Sequence, residues 1–253
     1  MNAVRICVGA ALCAAAAVSL AAASVSPAGK SVPANLLRIE LRLDAPLNGP
    51  LDMRHVHLLD QHGAEIPAPF LDLALPSRDG RTITVLLHPG RIKTGVGPNV
   101  DLGPALRAGQ HVALLIDDPQ LPAPVRKEWF VTADQPSRID PDAWLITPPA
   151  AGTRAPLRVA ALGLLQSSAQ HWIGVADTQG RKLTGEARLS EDGTTWQFKP
   201  TQAWRAGQHR LQVHPALEDA AGNRVCAAFE QWQLRDAPCS AGAARSFVVR
   251  RGW

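Results

Sequence analysis

The chain has 253 residues, of which 46% are hydrophobic and 19% are charged. A chain of this length and composition forms one or two packed domains, which excludes a wholly disordered protein. The formal net charge is +4, from 26 Lys plus Arg against 22 Asp plus Glu, and the basic residues are spread along the chain. We therefore expect no nucleic-acid partner.

The first 23 residues have the pattern of a secretory signal peptide. Arg5 is followed by an apolar run that ends in three alanines at Ala23, where small residues form a cleavage site. A membrane anchor is the alternative, but about 18 mostly alanine residues are marginal for a bilayer that requires about 20 strongly apolar residues. We expect a mature chain that begins at Ser24, is exported to the periplasm, cell surface or extracellular space, and has no membrane-spanning segment.

The four cysteines divide between the signal peptide and the mature chain. Cys7 and Cys13 belong to the predicted signal peptide, whereas Cys226 and Cys239 stay in the mature protein. Exported proteins reach an oxidising compartment in which disulfides persist. We predict a disulfide between Cys226 and Cys239 that holds the C-terminal tail, residues 237–253, against the last domain.

Two parts of the chain resemble each other. The sequence RAGQH at 107–111 recurs letter for letter at 205–209, and the Asp-Gly turn signal at Asp79 recurs at Asp192. The offset between the copies falls from 113 at the turn to 98 at RAGQH, so the first copy contains an insertion of about 15 residues, at 89–103. The chain is therefore predicted to hold an internal repeat.

Each RAGQH segment ends in a histidine. His111 and His209 therefore occupy the same position of the repeat, which predicts a shared structural role at the start of a strand. A shared catalytic role has no supporting motif.

Short strands are predicted throughout each copy. Leu37, Ile39 and Leu41 alternate with charged residues, the period of two expected for a half-buried strand. Turn signals separate such runs at about 8 to 12 residues, which indicates an all-β fold of two tandem antiparallel sandwiches. The predicted organisation is a signal peptide (1–23), domain 1 (33–132) with the insertion, a proline-rich linker (133–152), domain 2 (153–236) and the tail (237–253).

The second copy carries a recognisable signature. WRAGQHRLQV at 204–213 is followed by LEDAAGN at 217–223, and together they resemble the last hairpin of bacterial Ig-like domains of the SbsA type. The first copy departs from the pattern, because DDPQ at 117–120 replaces the D-x-x-G-N turn. The resemblance implies two tandem Ig-like domains of a secreted bacterial protein, and it implies no chemistry. We therefore expect a non-catalytic binding or structural module of the cell envelope, without a cofactor, whose partner is an envelope protein or a glycan.

The insertion at 89–103 is the candidate binding site. A long loop on a rigid sheet often carries function, and Arg91, Lys93 and Asn99 are the side chains in it that could meet an anion or a partner carboxylate. The alternative is a structural flap that covers one edge of the sandwich.

A metal-dependent or carbohydrate-active protein is the alternative function. His55 and His57 lie two apart on a predicted strand, so both side chains point to one face at a spacing that suits zinc or copper. Their counterparts in the second copy are Trp172 and Gly174, and neither a metalloprotease nor a serine-hydrolase motif occurs. A solvated strand face is the competing interpretation of the two histidines.

Seven tryptophans and no tyrosine suggest stacking on sugars as the basis of the carbohydrate alternative. Trp196 and Trp204 align with apolar residues of the first copy, so both are predicted to be core residues. Trp129, Trp172 and Trp232 are candidates for the surface.

The turn at 217–223 offers oxygen atoms from Glu218, Asp219 and Asn223, which suit Ca²⁺. The simpler prediction is that Asp219 accepts hydrogen bonds from the backbone of its own turn, while Gly222 adopts a positive φ. Calcium binding and a purely structural turn both fit the sequence.

Overall fold

The structure is a computed structural model that describes residues 23–92, 97–135, 138–229 and 242–251. Within these ranges the protein is all-β, with fifteen strands in four sheets. Two short α-helices, α1 (Pro98–Leu102) and α2 (Ala169–Trp172), and three 3-10 turns, Met53–His55, Pro89–Arg91 and Pro141–Ala143, complete the described part. No helix there is long and apolar enough to cross a membrane. The predicted signal peptide lies outside the described residues, apart from Ala23.

Domain 1 is a sandwich of two four-stranded sheets. Its strands are β1 (Ser24–Ser26), β2 (Ser31–Pro33), β3 (Arg38–Arg42), β4 (Val56–Leu59), β5 (Phe70–Pro76), β6 (Thr82–Leu87), β7 (His111–Ile116) and β8 (Val125–Thr132). One sheet has the order β1-β3-β6-β5 and the other the order β2-β8-β7-β4. Only β2 and β8 pair in parallel, and the other pairs are antiparallel. Two antiparallel sheets in this strand order form an Ig-like sandwich.

Alternating apolar side chains fill the space between the sheets of domain 1. Ile39 and Leu41 of β3 are buried beside Ile83 and Val85 of β6, their partners in the strand register. Burying each such side chain contributes about 1.5 to 3 kcal/mol. The alternation predicted from the sequence is therefore the pattern that holds the sheets together.

Domain 2 repeats the arrangement. Its strands are β9 (Leu145–Thr147), β10 (Leu157–Ala160), β11 (Ile173–Ala176), β12 (Gly185–Leu189), β13 (Thr195–Pro200), β14 (Gly207–Val213) and β15 (Ala243–Val249). The sheets have the orders β12-β13-β10-β9 and β11-β14-β15. A single parallel bridge between Ala151 and Arg251 takes the place of the parallel pair of domain 1. The two copies of the repeat are thus two Ig-like sandwiches.

Corresponding hairpin turns in the two domains share the same internal hydrogen bonds. The Ser77 hydroxyl donates to Asp79 Oδ1 at 2.7 Å, and the Ser190 hydroxyl donates to Asp192 Oδ1 at 2.5 Å. These bonds are the main reason that the pKa values of Asp79 and Asp192 lie below their usual range. The equivalence of these two turns, predicted from the Asp-Gly signals, is confirmed.

The repeated RAGQH segments differ by one residue in their pairing. In domain 1 the Gly109 N–H donates to the Val131 carbonyl while the Val131 N–H donates to the Gln110 carbonyl, so two residues oppose one in a β-bulge. Gly109 has a φ of 89°, which suits glycine at such a bulge. His111 then faces solvent, whereas His209 on the regularly paired β14 is buried. The prediction that the two histidines occupy equivalent positions is wrong, because one extra residue reverses the face of each side chain that follows.

The sandwiches extend beyond the predicted boundaries at three places. β1 precedes residue 33, β9 lies in the predicted linker, and β15 lies in the predicted tail. Each of these strands completes a sheet, and β15 pairs with β14 over seven residue pairs. The tail is therefore held by backbone hydrogen bonds, so a disulfide is not needed to dock it.

The two domains meet end to end in a contact that we call the joint, formed by residues 35–40 of domain 1, Gln135, and residues 164–167 and 218–224 of domain 2. The Leu37 N–H donates to the Ala220 carbonyl at 2.9 Å. Ala220 is buried, and its side chain belongs to the hydrophobic core of domain 1. One residue of the second sandwich thus completes the core of the first.

Gln135, in the predicted linker, connects both sides of the joint. Its backbone N–H donates to Asn35 Oδ1 at 2.9 Å. Its side-chain amide accepts from the Leu164 N–H at 3.0 Å and donates to the Leu164 carbonyl at 3.1 Å. A single glutamine therefore satisfies backbone groups of domain 2 while its own backbone is held by domain 1.

Candidate functional site

The structure places Arg91 of the insertion in the interior. Arg91 is 2% exposed, its Nε donates to the Gly103 carbonyl at 2.7 Å, and its Nη1 donates to the Pro67 carbonyl. Burial lowers the pKa of the guanidinium, and the neighbouring charge of Arg107 lowers it further. The expectation that Arg91 meets a partner is therefore corrected: this side chain ties the insertion to the loop before β5, as a structural flap requires.

Lys93 and Asn99 are the other two residues of the predicted binding set. Lys93 lies outside the described residues. Asn99 lies in α1, and its Nδ2 is buried without a hydrogen-bond partner among the described residues. Three side chains of α1 are exposed: Asp101 and the apolar Val100 and Leu102, which are 69% and 43% exposed. Sequence reasoning missed these two because a helix of five residues is too short to show an amphipathic period.

His55 and His57 belong to a polar cluster at the surface of domain 1. Asp117 Oδ1 lies 2.9 Å from His55 Nδ1 and 3.7 Å from His57 Nε2. Glu65 Oε1 lies 3.1 Å from His57 Nδ1. The fold thus brings the carboxylate of Asp117, 62 residues after His55, and that of Glu65, eight residues after His57, to the predicted histidine pair.

The cluster connects strands at the surface. The backbone N–H of Asp117 donates to the His55 carbonyl at 3.1 Å, so the loop after β7 is fixed to the start of β4 by main-chain and side-chain bonds together. In the ranges that the structure describes, no group of three or more His, Cys, Asp or Glu side chains is arranged to hold a metal ion. The geometry therefore supports a hydrogen-bond network on a solvated strand face.

The tryptophans are mostly interior. Trp196 and Trp204 are buried, which confirms the prediction that both are core residues. Trp129 is buried as well, against expectation, because it faces the space between the sheets of domain 1. Trp172 is half-buried, and Trp232 lies outside the described residues. None of the described tryptophans is exposed, so the stacking surface that the carbohydrate alternative requires is not found among them.

The turn at 217–223 has the predicted structural form. Asp219 Oδ1 accepts from the N–H groups of Ala221 and Asn223 at 2.9 and 2.8 Å, and Oδ2 accepts from Asn223 Nδ2 at 3.0 Å. Gly222 has a φ of 79°. Burial raises the pKa of Asp219, although these hydrogen bonds oppose the rise. Both carboxylate oxygens serve the turn itself, which leaves the calcium hypothesis without a carboxylate at this residue.

The neighbouring carboxylate, Glu218, is the centre of an ion network at the joint. Arg38 Nη2 of domain 1 donates to Glu218 Oε2 at 2.7 Å, and Arg224 Nη2 donates to Oε1 at 2.6 Å. Gln166 Nε2 donates to the same Oε2 at 3.1 Å. Burial alone would raise the pKa of Glu218, but the two guanidinium groups outweigh it and hold this pKa below its usual range. The signature turn of domain 2 therefore acts as a contact to domain 1.

The predicted disulfide stays a prediction. Cys226 lies on the surface just after the signature turn, and Cys239 lies outside the described residues.

No family model and no curated protein matches the sequence. Among solved structures, the chain is similar to the BSP domain of a biofilm-associated protein, at 11% identity and a TM-score of 0.28, over 91% of this chain and 29% of that chain. It is also similar to the Ig tandem domains of titin (12% identity, TM-score 0.26, 85% of this chain and 87% of that chain) and to Rst D1-D2 (10%, 0.26, 86% and 92%). TM-scores this low carry no argument about function. The strand order itself shows that the described part of the chain is all-β and forms two Ig-like sandwiches.

Proposed function

We propose that this chain is an exported, non-catalytic module of the bacterial cell envelope in which two Ig-like sandwiches form one rigid unit that binds or spaces a partner. The observation that carries the proposal is the joint. Domains within one chain usually move relative to each other unless their contact is large or apolar. Here Ala220 of domain 2 lies in the core of domain 1, so separating the domains would open a hydrophobic core.

Charge and hydrogen bonding reinforce this contact. Arg38 reaches Glu218 at 2.7 Å and Gln166 at 3.1 Å, and the Ser167 hydroxyl donates to Glu40 at 2.8 Å. Charge-assisted hydrogen bonds of this kind fix orientation as well as adding stability. Such a joint suits a protein that must hold its surfaces at a constant relative angle.

Export and the envelope location rest on the sequence. The signal-peptide pattern of residues 1–23 and the resemblance of domain 2 to Ig-like domains of the SbsA type both support this assignment. The proposed partner is an envelope protein or a glycan.

The insertion is the proposed contact surface for a protein partner. Arg91 anchors it from the inside, while Val100 and Leu102 of α1 present apolar side chains to solvent. Lys93 lies outside the described residues and stays a proposed contact from the sequence alone, whereas the side-chain amide nitrogen of Asn99 is buried. An anchored loop with exposed apolar side chains offers a partner a preformed contact.

Small-angle X-ray scattering tests the rigid unit. We expect the scattering of the mature chain to fit one fixed arrangement of the domains. The variant Arg38→Ala/Glu218→Ala should give a broader distribution of interdomain distances. Arg126→Ala/Glu128→Ala removes a surface ion pair of domain 1 and should leave the curve unchanged. Domains that already move freely in the wild type would contradict the proposal.

N-terminal sequencing of protein recovered outside the cytoplasm tests export. We expect the sequence to begin at Ser24, and an intact Met1 on such material would contradict the cleaved signal peptide.

A further inference from the structure

A cavity of about 350 Å³ opens at the end of domain 2 that lies away from the joint. Its walls come from the β11–β12 connection and the β13–β14 loop, whereas the joint uses the loops at the opposite ends of these strands. Small-molecule sites usually have volumes of about 300 to 1,000 Å³. The cavity is therefore large enough for a ligand, and it can be altered without touching the joint.

A buried histidine lies in the cavity wall. His209 is 2% exposed, stacks on Phe247 with ring centroids 5.7 Å apart, and meets the edge of Trp204 at 5.5 Å. Its Nδ1 lies 3.2 Å from the Gly207 carbonyl, and because a carbonyl only accepts, Nδ1 carries the proton. In the neutral ring, Nε2 is then a hydrogen-bond acceptor.

The acceptor Nε2 of His209 has no partner among the described residues. It is also not one of the buried polar atoms that lack both a partner and contact with solvent. Nε2 therefore keeps access to solvent, and the cavity is the space that His209 lines. A solvent-accessible acceptor in a cavity wall can accept a hydrogen bond from a hydroxyl group of a ligand.

The rim of the cavity is positively charged. Lys182 and Arg205 line it, are exposed, and form no ion pair within the described part of the chain. Arg181 pairs with Asp177 at 3.0 Å, so these two side chains add no net charge. Two uncompensated cations therefore remain at the opening, where they attract a carboxylate.

We propose that this cavity binds an acidic sugar residue, whose carboxylate contacts Lys182 and Arg205 and whose hydroxyl donates to His209 Nε2. A carboxylate without a neighbouring hydroxyl, as in an acidic peptide, leaves the histidine acceptor unused, and a neutral sugar leaves the two cations unused. Thr201 and Gln202 of the same wall supply neutral polar groups for further hydroxyls. The inference rests on the proposed envelope role and names the ligand class for it.

Isothermal titration calorimetry of the mature chain with a trisaccharide of galacturonic acid tests the site. The matched neutral probe is a trisaccharide of galactose, and a glutamate tripeptide represents acidic peptides. We expect binding of the acidic sugar alone. Lys182→Ala and Arg205→Ala should each weaken it by about five- to tenfold, because each removes a charge-assisted bond. Arg158→Ala, an exposed change on β10 outside the cavity, is the control and should bind as the wild type.

His209→Phe keeps an aromatic ring against Phe247 but removes the acceptor, and we expect it to abolish detectable binding while the far-ultraviolet circular dichroism stays that of the wild type. If this variant fails to fold, the two rim variants still decide the outcome. Equal binding of the neutral sugar or the peptide, no binding of the acidic sugar, or equal loss in Arg158→Ala would overturn the inference. The joint variant Arg38→Ala/Glu218→Ala should bind normally, so a failure of the rigid-unit proposal is recognised separately.

Discussion

The ion pair between Arg38 and Glu218 can be assigned a magnitude from its surroundings. The side chains are 25% and 16% exposed, and Arg38 Nη2 lies 2.7 Å from Glu218 Oε2. Exposed ion pairs contribute about 0 to 1 kcal/mol, whereas removing one partner of a fully buried pair costs about 3 to 5 kcal/mol. Because solvent partly screens this pair and Glu218 keeps Arg224 as a second partner, we expect a coupling energy of about 1 to 2 kcal/mol.

A double-mutant cycle measures this coupling. Arg38→Ala, Glu218→Ala and the double variant are compared with the wild type by urea denaturation followed by tryptophan fluorescence. Arg126 and Glu128 on β8, 2.9 Å apart with side chains 52% and 69% exposed, form the matched control pair. The control coupling should be below about 0.5 kcal/mol. A coupling at the joint no larger than that of the control would refute the reasoning.

The core, the cysteines and acid sensitivity provide three more tests. Trp196→Ala should lower the free energy of unfolding by about 3 to 5 kcal/mol and His55→Ala by less than about 0.5 kcal/mol, and similar values in denaturant titrations would contradict the core placement. Alkylation followed by mass measurement of exported protein should leave Cys226 and Cys239 unmodified, and two alkylated cysteines would exclude the disulfide. Carboxylates with lowered pKa values, including Asp52 at about 2 through its hydrogen bonds with Arg54, stabilise the fold above their unfolded values of 3.8 for Asp and 4.5 for Glu. The urea midpoint should therefore fall as the pH drops through these values, and a constant midpoint would contradict this assignment.

Local patterns predicted the sandwiches well, because strand alternation and turn chemistry depend on residues close in sequence. Trp196 is buried where its repeat position predicted, and Asp219 caps its turn as its spacing to Gly222 indicated. Arg91 could not be placed in this way. A charged residue in a glycine-rich loop is normally exposed, and only the folded chain brings the carbonyls of Gly103 and Pro67 to its guanidinium.

Contacts between segments that are distant in sequence could not be predicted either. Nothing near His55 and His57 in the sequence points to Asp117, which reaches them because β4 and β7 are neighbours in one sheet. The role of Glu218 was equally hidden, since its partner Arg38 lies 180 residues away in the other domain. The turn was recognised, but its function as an interdomain contact follows only from the fold.

The position of β15 has a consequence for the order in which the two domains fold as the chain is synthesised from its N-terminus. Every described strand of domain 1 lies within residues 24–132, so its two sheets can pair as soon as that stretch is available. Domain 2 has to wait for residues 243–249, and until they arrive β14 presents an unpaired edge to other chains. During this interval the already folded first domain offers a site to which the 218–224 turn can bind. Domain 1 can therefore hold the 218–224 turn in position before domain 2 is complete.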